Sequence, residues 1–220
     1  MIPVITIDGP SGSGKGTICR HVAKAKGYHL LDSGALYRLT ALASIRSHCD
    51  IDAELEVAAV AEQLDVEFFA ENDTTVILLA GQDVSQTIRE EQVGMTASKI
   101  AAYSTVREAL LARQRAFAKA PGLVADGRDM GTVVFKDAPV KIFLTASAQE
   151  RARRRVKQLE QAGLCEIHYE KILHDIEQRD EQDRSRATAP LVPAKDAQLI
   201  DSTALSIDEV VTRVLAYANA

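Results

Sequence analysis

The sequence has no tryptophan and only five Phe and five Tyr. An aromatic platform for stacking the bases of single-stranded nucleic acid is therefore not expected. An excess of positive charge is also missing: 26 Lys and Arg stand against 31 Asp and Glu, a net charge of -5. That balance argues against bulk electrostatic binding of DNA or RNA and leaves only local basic clusters to hold a small anion. Cysteine is scarce. Cys19, Cys49 and Cys165 are far apart and odd in number, so neither a disulfide framework nor a metal site is indicated. Cys165 and His168 stand three apart without a second pair, which argues against zinc. The three thiols are read as small core or half-buried residues. There is no basic leader and no long apolar run. No signal segment and no membrane span are expected, and the expected location is the cytoplasm. Repeats and low-complexity tracts are lacking too.

What is present is 46% hydrophobic and 26% charged, ordinary for a globular chain. A length of 220 residues suits one domain with an inserted module. Pro3 to Ile7 is a short branched apolar run ending in Asp8-Gly9, a buried strand entering a turn. Lys15 to Lys26 carries Ile18, Val22 and Ala25 at helical spacing. Tyr28 to Leu31 is a second strand, and Ser33 is placed to cap a helix from about Gly34 to Ser47. Strand, helix, strand, helix points to a parallel sheet.

The rhythm then breaks. A helix over 53–64 is followed by VEFFA (66–70), TVILLA (75–80) and QDVS (82–85), with links short enough for an antiparallel meander. This stretch reads as an insertion. Helices are expected over 89–103 and 105–119, strands at 122–127, 140–146 and 197–202, and charged helices at 148–162 and 166–181. Ser206 and Glu209 form a capping box for a last helix to Tyr217.

Five stretches carry chemistry. The first, IDGPSGSGKGT (7–17), follows a strand and opens a helix. The loop Gly9, Pro10, Ser11, Gly12, Ser13, Gly14, Lys15, Gly16 and Thr17 is expected to ring a phosphate with its backbone amides at a helix N-terminus, with Lys15 adding a point charge. Gly16 takes the place where P-loop GTPases and motor ATPases put a magnesium-binding hydroxyl, which arrives one residue later at Thr17. Gly-Lys-Gly-Thr resembles nucleoside monophosphate kinases instead. The two Asn residues, Asn72 and Asn219, lack the Asn-Lys-x-Asp context of a guanine site.

The second stretch, LLDSGALYR (30–38), makes a further anion-friendly helix start at Ser33, with Tyr37 and Arg38 on the first turns. Its bland alternative is an ordinary N-cap beside a surface arginine. The third, VADGRDMGTVVF (124–135), puts Asp126 at a strand end and Arg128 and Asp129 in the loop that follows. P-loop enzymes place an acid near magnesium at such a strand end. The fourth, ERARRRVKQ (150–158), aligns Arg151, Arg154 and Arg155 on one helix face. It is read as a short basic lid over the phosphates, against the alternative of a solvated face. The fifth, EQRDEQDRSR (177–186), alternates signs at Arg179, Asp183 and Arg186. Taken alone it reads as internal ion pairing.

Together these stretches and the APLVPA run (189–194) resemble the bacterial-type cytidylate kinase family over essentially the whole chain. The glycine loop by itself identifies only a P-loop kinase. The Gly-Arg-Asp-Met-Gly-Thr run and the long insertion identify the branch. The resemblance implies an α/β P-loop fold with a five-stranded parallel sheet and a small antiparallel sheet in an enlarged monophosphate-binding insert. The core is expected at 1–33 and 104–220, the insert at about 34–103 and the short lid at about 151–165. The implied reaction moves the γ-phosphoryl group of ATP, with Mg2+, to CMP or dCMP.

The resemblance also implies roles. Lys15, Arg128 and Asp126 are the expected catalytic set, with Thr17 and Asp126 on the metal, directly or through water. Ser33, Arg38 and Arg128 should hold the acceptor phosphate. Ser98, Arg107 and Asp129 should read cytosine, and Arg179, Asp183 and Arg186 should lie near the sugar. A monomer with small nucleotides as its partners is expected. Two alternatives stay open at this point: a P-loop kinase for another small acceptor, and a nucleotide sensor without turnover.

Overall fold

The computed structural model describes residues 2–71, 74–161, 163–164 and 166–219. Cys165 and the end of the expected lid fall outside that set. The chain divides into two compact units, Met1–Asp32 with Arg115–Ala220, and Ser33–Gln114.

The first unit is built on five parallel strands. They are β1 (Val4–Asp8), β2 (His29–Asp32), β6 (Leu123–Gly127), β7 (Val140–Thr145) and β8 (Gln198–Asp201), in the order β2-β6-β1-β7-β8. The expected five-stranded parallel sheet is thus present. β1 is wholly buried, as its unbroken branched run requires of a central parallel strand. Helices α1 (Lys15–Lys26) and α8 (Ile207–Asn219) share a core with the sheet: Ile18, Val22, Val210 and Val214 pack with Ile5, Ile7, Val124, Ile142 and Leu144. The register puts Asp8 opposite Gly127 and Ile7 opposite Asp126. Both acid-bearing strand ends therefore finish at one edge of the sheet, where α/β folds bind ligands. Two charged helices, α6 (Ala148–Gln161) and α7 (Tyr169–Ser185), pack on each other.

The second unit holds α2 (Ser33–Arg46), α3 (Glu54–Glu62), an antiparallel sheet β3-β4-β5 (Val66–Glu71, Thr74–Leu79, Gln82–Asp83), α4 (Glu91–Ile100) and α5 (Ser104–Arg115), whose last residue is counted with the first unit. The meander is as the sequence implies.

Three local expectations change. Ser33 does not cap α2. The strand runs straight into the helix, and Ser33 Oγ donates to Gln114 Oε1 at 2.8 Å. α7 continues to Ser185 rather than ending near 181, so Asp183 rides on the helix with Arg179 instead of lying beyond its end. Residues Met130–Val134 wind into a single π-helical turn, a rare conformation found frequently at functional sites.

Candidate active site

Gly9 to Thr17 joins β1 to α1. Gly9 has φ 149°, and a Cβ there would lie 2.0 Å from the Leu144 carbonyl oxygen, so only glycine passes. Gly14, at φ 92°, turns the chain into α1 with no side chain to cap the first amides. Those amides and the helix dipole are left for an anion.

Three of the loop's carbonyls are held from the other side. Pro10 O accepts from Ser13 Oγ (3.0 Å) and Lys15 Nζ (2.9 Å). Ser11 O accepts from Arg151 Nη1 at 2.9 Å. Ser13 O accepts from Arg154 Nη1 (3.2 Å) and Ser202 Oγ (3.3 Å). In a trans peptide the N–H points opposite the C=O. Pinning these carbonyls therefore aims the amides of Ser11, Gly12 and Gly14 the other way.

Arg151 is buried and also donates to Ala146 O at 3.0 Å, while Asp180 receives its guanidinium in a two-pronged pair. Arg154 binds Ser202 O at 2.7 Å and Glu150 at 3.1 Å. Arg155 is half-buried, with no polar partner among the described residues. Beside the loop lies a cavity of about 360 Å3, lined by Pro10, Arg151, Glu177, Asp180 and Glu181 among others. Its wall sets three carboxylates against two arginines, Arg151 and Arg184, both paired with Asp180.

Lys15 is buried, with Asp126 3.9 Å from its ammonium. Its pKa is pulled down, first by burial and then by the positive charge of Arg128; Asp126 opposes both. Arg128 donates Nε to Asp183 at 2.7 Å, and Asp183 also pairs with Arg186. Burial pulls the Arg128 guanidinium down, but Asp183 outweighs it and the net shift is upward. Asp183 is pushed up by burial yet ends below the usual carboxylate range because two guanidiniums flank it. Asp129 is buried at the head of the π turn, where its carbonyl accepts from Val133 and Val134. Arg179 is half-buried on α7.

Two carboxylates stand at the strand ends. Burial raises Asp126 to about 6, with Lys15 pulling the other way. Burial likewise raises Asp8 to about 7, against two backbone amides that favour its charge. A Cβ on Gly16 would come within 3.4 Å of Asp126 Oδ2, which places that carboxylate beside the first turn of α1, next to Thr17. A hydroxyl and a carboxylate are hard oxygen donors. A partial set of this kind fits a divalent cation that keeps waters and phosphate oxygens, rather than one needing a full protein cage.

In the second unit, Arg38 donates to Ile88 O at 2.7 Å. It runs so close to α4 that a Cβ on Gly94 would lie 2.9 Å from its guanidinium nitrogens. Arg107 is buried, donates to Ala101 O at 3.1 Å and stacks 5.7 Å from the centre of the Tyr37 ring. Ser98 is half-buried on α4.

The first unit thus gathers Lys15, Asp126, Arg128, Asp183 and Arg186, and fastens Arg151 and Arg154 to the loop. Sequence reading missed Asp8, Asp180, Ser202, Gly94 and the contact of Tyr37 with Arg107. Asp8 had a signal, since it ends β1 directly before the loop. The others become visible only when distant segments meet.

Comparison with known proteins agrees. The cytidylate kinase family model matches residues 5–220. Cytidylate kinase of Saccharophagus degradans is 66% identical over 220 residues, covering all of this chain and 98% of that one. Cytidylate kinases of Aeromonas hydrophila and Proteus mirabilis are each 59% identical over 219 residues, covering 100% of this chain and 95% and 97% of theirs. A crystal structure of an uncharacterised protein from Eubacterium ventriosum superposes with TM-score 0.50 at 10% identity over 99% of both chains, a likeness of fold alone. No helix among the described residues is long and apolar enough to cross a membrane. By its fold, its glycine loop and its likeness from end to end, the chain belongs to the cytidylate kinase family.

Proposed function

We propose that this chain transfers the γ-phosphoryl group of ATP to CMP or dCMP, giving CDP or dCDP. One observation carries the reading: Lys15 of the donor loop, buried with Asp126 3.9 Å from its ammonium, and the half-buried Arg128 of the turn after β6, held by Asp183 at 2.7 Å, are close enough for the arginine to depress the lysine's pKa. Like charges gathered out of water cost energy unless an anion is to be placed between them. A pair of phosphates brought end to end relieves that repulsion.

The acceptor's own phosphate is the nucleophile. Its second pKa is near ~6, so at neutral pH it needs no general base. The protein's work is alignment and charge neutralisation. The amides of residues 9–17 and Lys15 hold the donor phosphates. Thr17 and Asp126 hold Mg2+, which neutralises charge on the donor phosphates when bound. Arg128, with Ser33 and Arg38, takes the acceptor phosphate. Arg151 and Arg154 are committed to the loop, which leaves Arg155 as the lid arginine for the moving group. Asp183, Arg186 and Arg179 serve the sugar.

Base choice follows from hydrogen-bond polarity. Cytosine offers a donor at N4 and acceptors at N3 and O2. Asp129 accepts from N4, while Arg107 and Ser98 donate to the acceptors. Uracil sets an oxygen against the carboxylate and leaves a buried group unpaired, a cost of about 1–3 kcal/mol. The enzyme is assigned to the cytoplasm as a monomer. The test is coupled ADP release with ATP and Mg2+ across CMP, dCMP, UMP and AMP. Fast turnover with CMP and dCMP is expected; turnover confined to UMP or AMP refutes the assignment.

A further inference from the structure

One buried carboxylate has no part in the scheme above. Asp8 is 4% exposed, ends β1 and directly precedes Gly9. Both of its oxygens are used: Oδ1 accepts from Met130 N and Oδ2 from Gly131 N, each at 2.8 Å. These amides open the π turn Met130–Val134. Its ladder begins with Val134 N on Asp129 O (3.2 Å) and Phe135 N on Met130 O (2.7 Å). The first amides of any helical turn lack a partner within it. Asp8 supplies one from more than 120 residues away in sequence.

The turn so fastened carries Arg128 and Asp129, while Asp8 is covalently joined to the loop that grips the donor. We propose that Asp8 is a positioning residue: it locks the Arg128–Asp129 turn to the root of the glycine loop, fixing acceptor-side recognition in register with the donor phosphates. The inference rests on the function proposed above. It predicts a specificity effect, because Asp129 reads the base and Arg128 the acceptor phosphate from the two residues before Met130.

A purely structural cap and a positioning residue differ in what their loss changes. Asp8→Asn keeps the shape but turns an amide group toward one of the two N–H donors, so one contact is lost and the turn shifts. At pH 8, where Asp8 is ionised, loss of one charge-assisted hydrogen bond is expected to raise KM for CMP about tenfold and to narrow the CMP-over-UMP ratio of kcat/KM severalfold, with KM for ATP within about twofold. An unchanged ratio, or an equal loss toward ATP and CMP, overturns the proposal.

Gly131→Ala provides a second route that keeps Asp8. Its Cβ would meet Thr6 Oγ1 at 3.0 Å, Lys141 Cδ at 3.2 Å and Asp8 Oδ2 at 3.4 Å, tight enough to nudge the turn. The same narrowing of the ratio supports the proposal, and unaltered selectivity counts against it. If the wild-type chain shows no preference for CMP, the functional reading fails by itself. Amide proton shifts then judge Asp8: an upfield move of Met130 and Gly131 in Asp8→Asn, with Arg128 side-chain resonances moving too, upholds the lock. Static Arg128 resonances refute it.

Discussion

Asp183 is shared by two arginines: Arg128 donates Nε to one oxygen at 2.7 Å, and Arg186 pairs with the other. The carboxylate is 2% exposed, so almost none of its charge is shielded by water. Removing it leaves two guanidiniums crowded without their counter-charge. Breaking a buried pair from one side costs about 3–5 kcal/mol. Asp183→Ala is therefore expected to lose roughly that much stability in urea unfolding at neutral pH. Asp183→Asn, which still accepts a hydrogen bond, should lose less. An Asp183→Ala chain as stable as wild type would show the pairs to be worth nothing.

Arg38 and Gly94 make a tighter test of the acceptor side. A methyl group at 94 would lie 2.9 Å from both terminal nitrogens of Arg38. The guanidinium is the far end of a flexible chain, so the fold should tolerate Gly94→Ala. The arginine must instead leave Ile88 O, now 2.7 Å away. KM for CMP should rise about tenfold, the loss of roughly one charged hydrogen bond. KM for ATP should stay put. Unaltered CMP kinetics would remove Arg38 from phosphate binding.

How much of this was legible in the sequence depends on range. β1, the glycine loop and α1 were readable because the signals are local: a branched run, a glycine-rich turn and helical spacing after it, with left-handed glycines at 14 and 27 then bounding the helix in the structure. The Ser206–Glu209 capping box also forms as read, with contacts of 2.8 and 3.3 Å. Ser33 misled because its cap signature is local while its actual partner, Gln114, is 81 residues away. The same holds for Arg151. On one helix it reads as part of a basic lid, and only Asp180, arriving on α7, offsets the cost of its burial.

Stability without nucleotide should depend on pH in a direction set by the strand-end acids. Burial raises Asp8 to about 7 and Asp126 to about 6, against an ordinary aspartate value of 3.8. A carboxyl whose folded pKa is raised binds its proton more tightly in the folded state. Its stabilising contribution is full below the unfolded pKa and is lost as pH rises through the folded value. Between pH 5 and 8 the ligand-free protein should therefore lose stability as pH rises. Each tenfold gain in proton affinity is worth roughly 1.4 kcal/mol, so Asp126 contributes about 3 kcal/mol in all, of which only about 1 kcal/mol is lost between pH 5 and 8. Asp183 acts oppositely, since its pKa is lowered, but its contribution falls away only as pH drops below about 4. Melting curves at pH 5.5 and 8 check this, and Asp126→Asn should flatten the difference. A Tm that rises with pH across this window contradicts the burial of these acids.

The glycine loop should depend on arginine's shape as well as its charge. Arg151 holds three points at once: Ser11 O at 2.9 Å, Ala146 O at 3.0 Å and the Asp180 carboxylate. A planar fork of donors spans these points; a single ammonium reaches one or two. Arg151→Lys keeps the charge that pairs with Asp180 but frees the Ser11 carbonyl, and with it the Gly12 amide on the far side of that peptide. The expected result is a KM for ATP higher by about tenfold, the equivalent of one charge-assisted hydrogen bond, with KM for CMP nearly unchanged. Asp180→Asn should shift the same constant in the same direction, because Arg151 would then lose the partner that orients it. If either substitution instead raised KM for CMP while sparing ATP, Arg151 would belong to the acceptor side and not to the back of the donor loop.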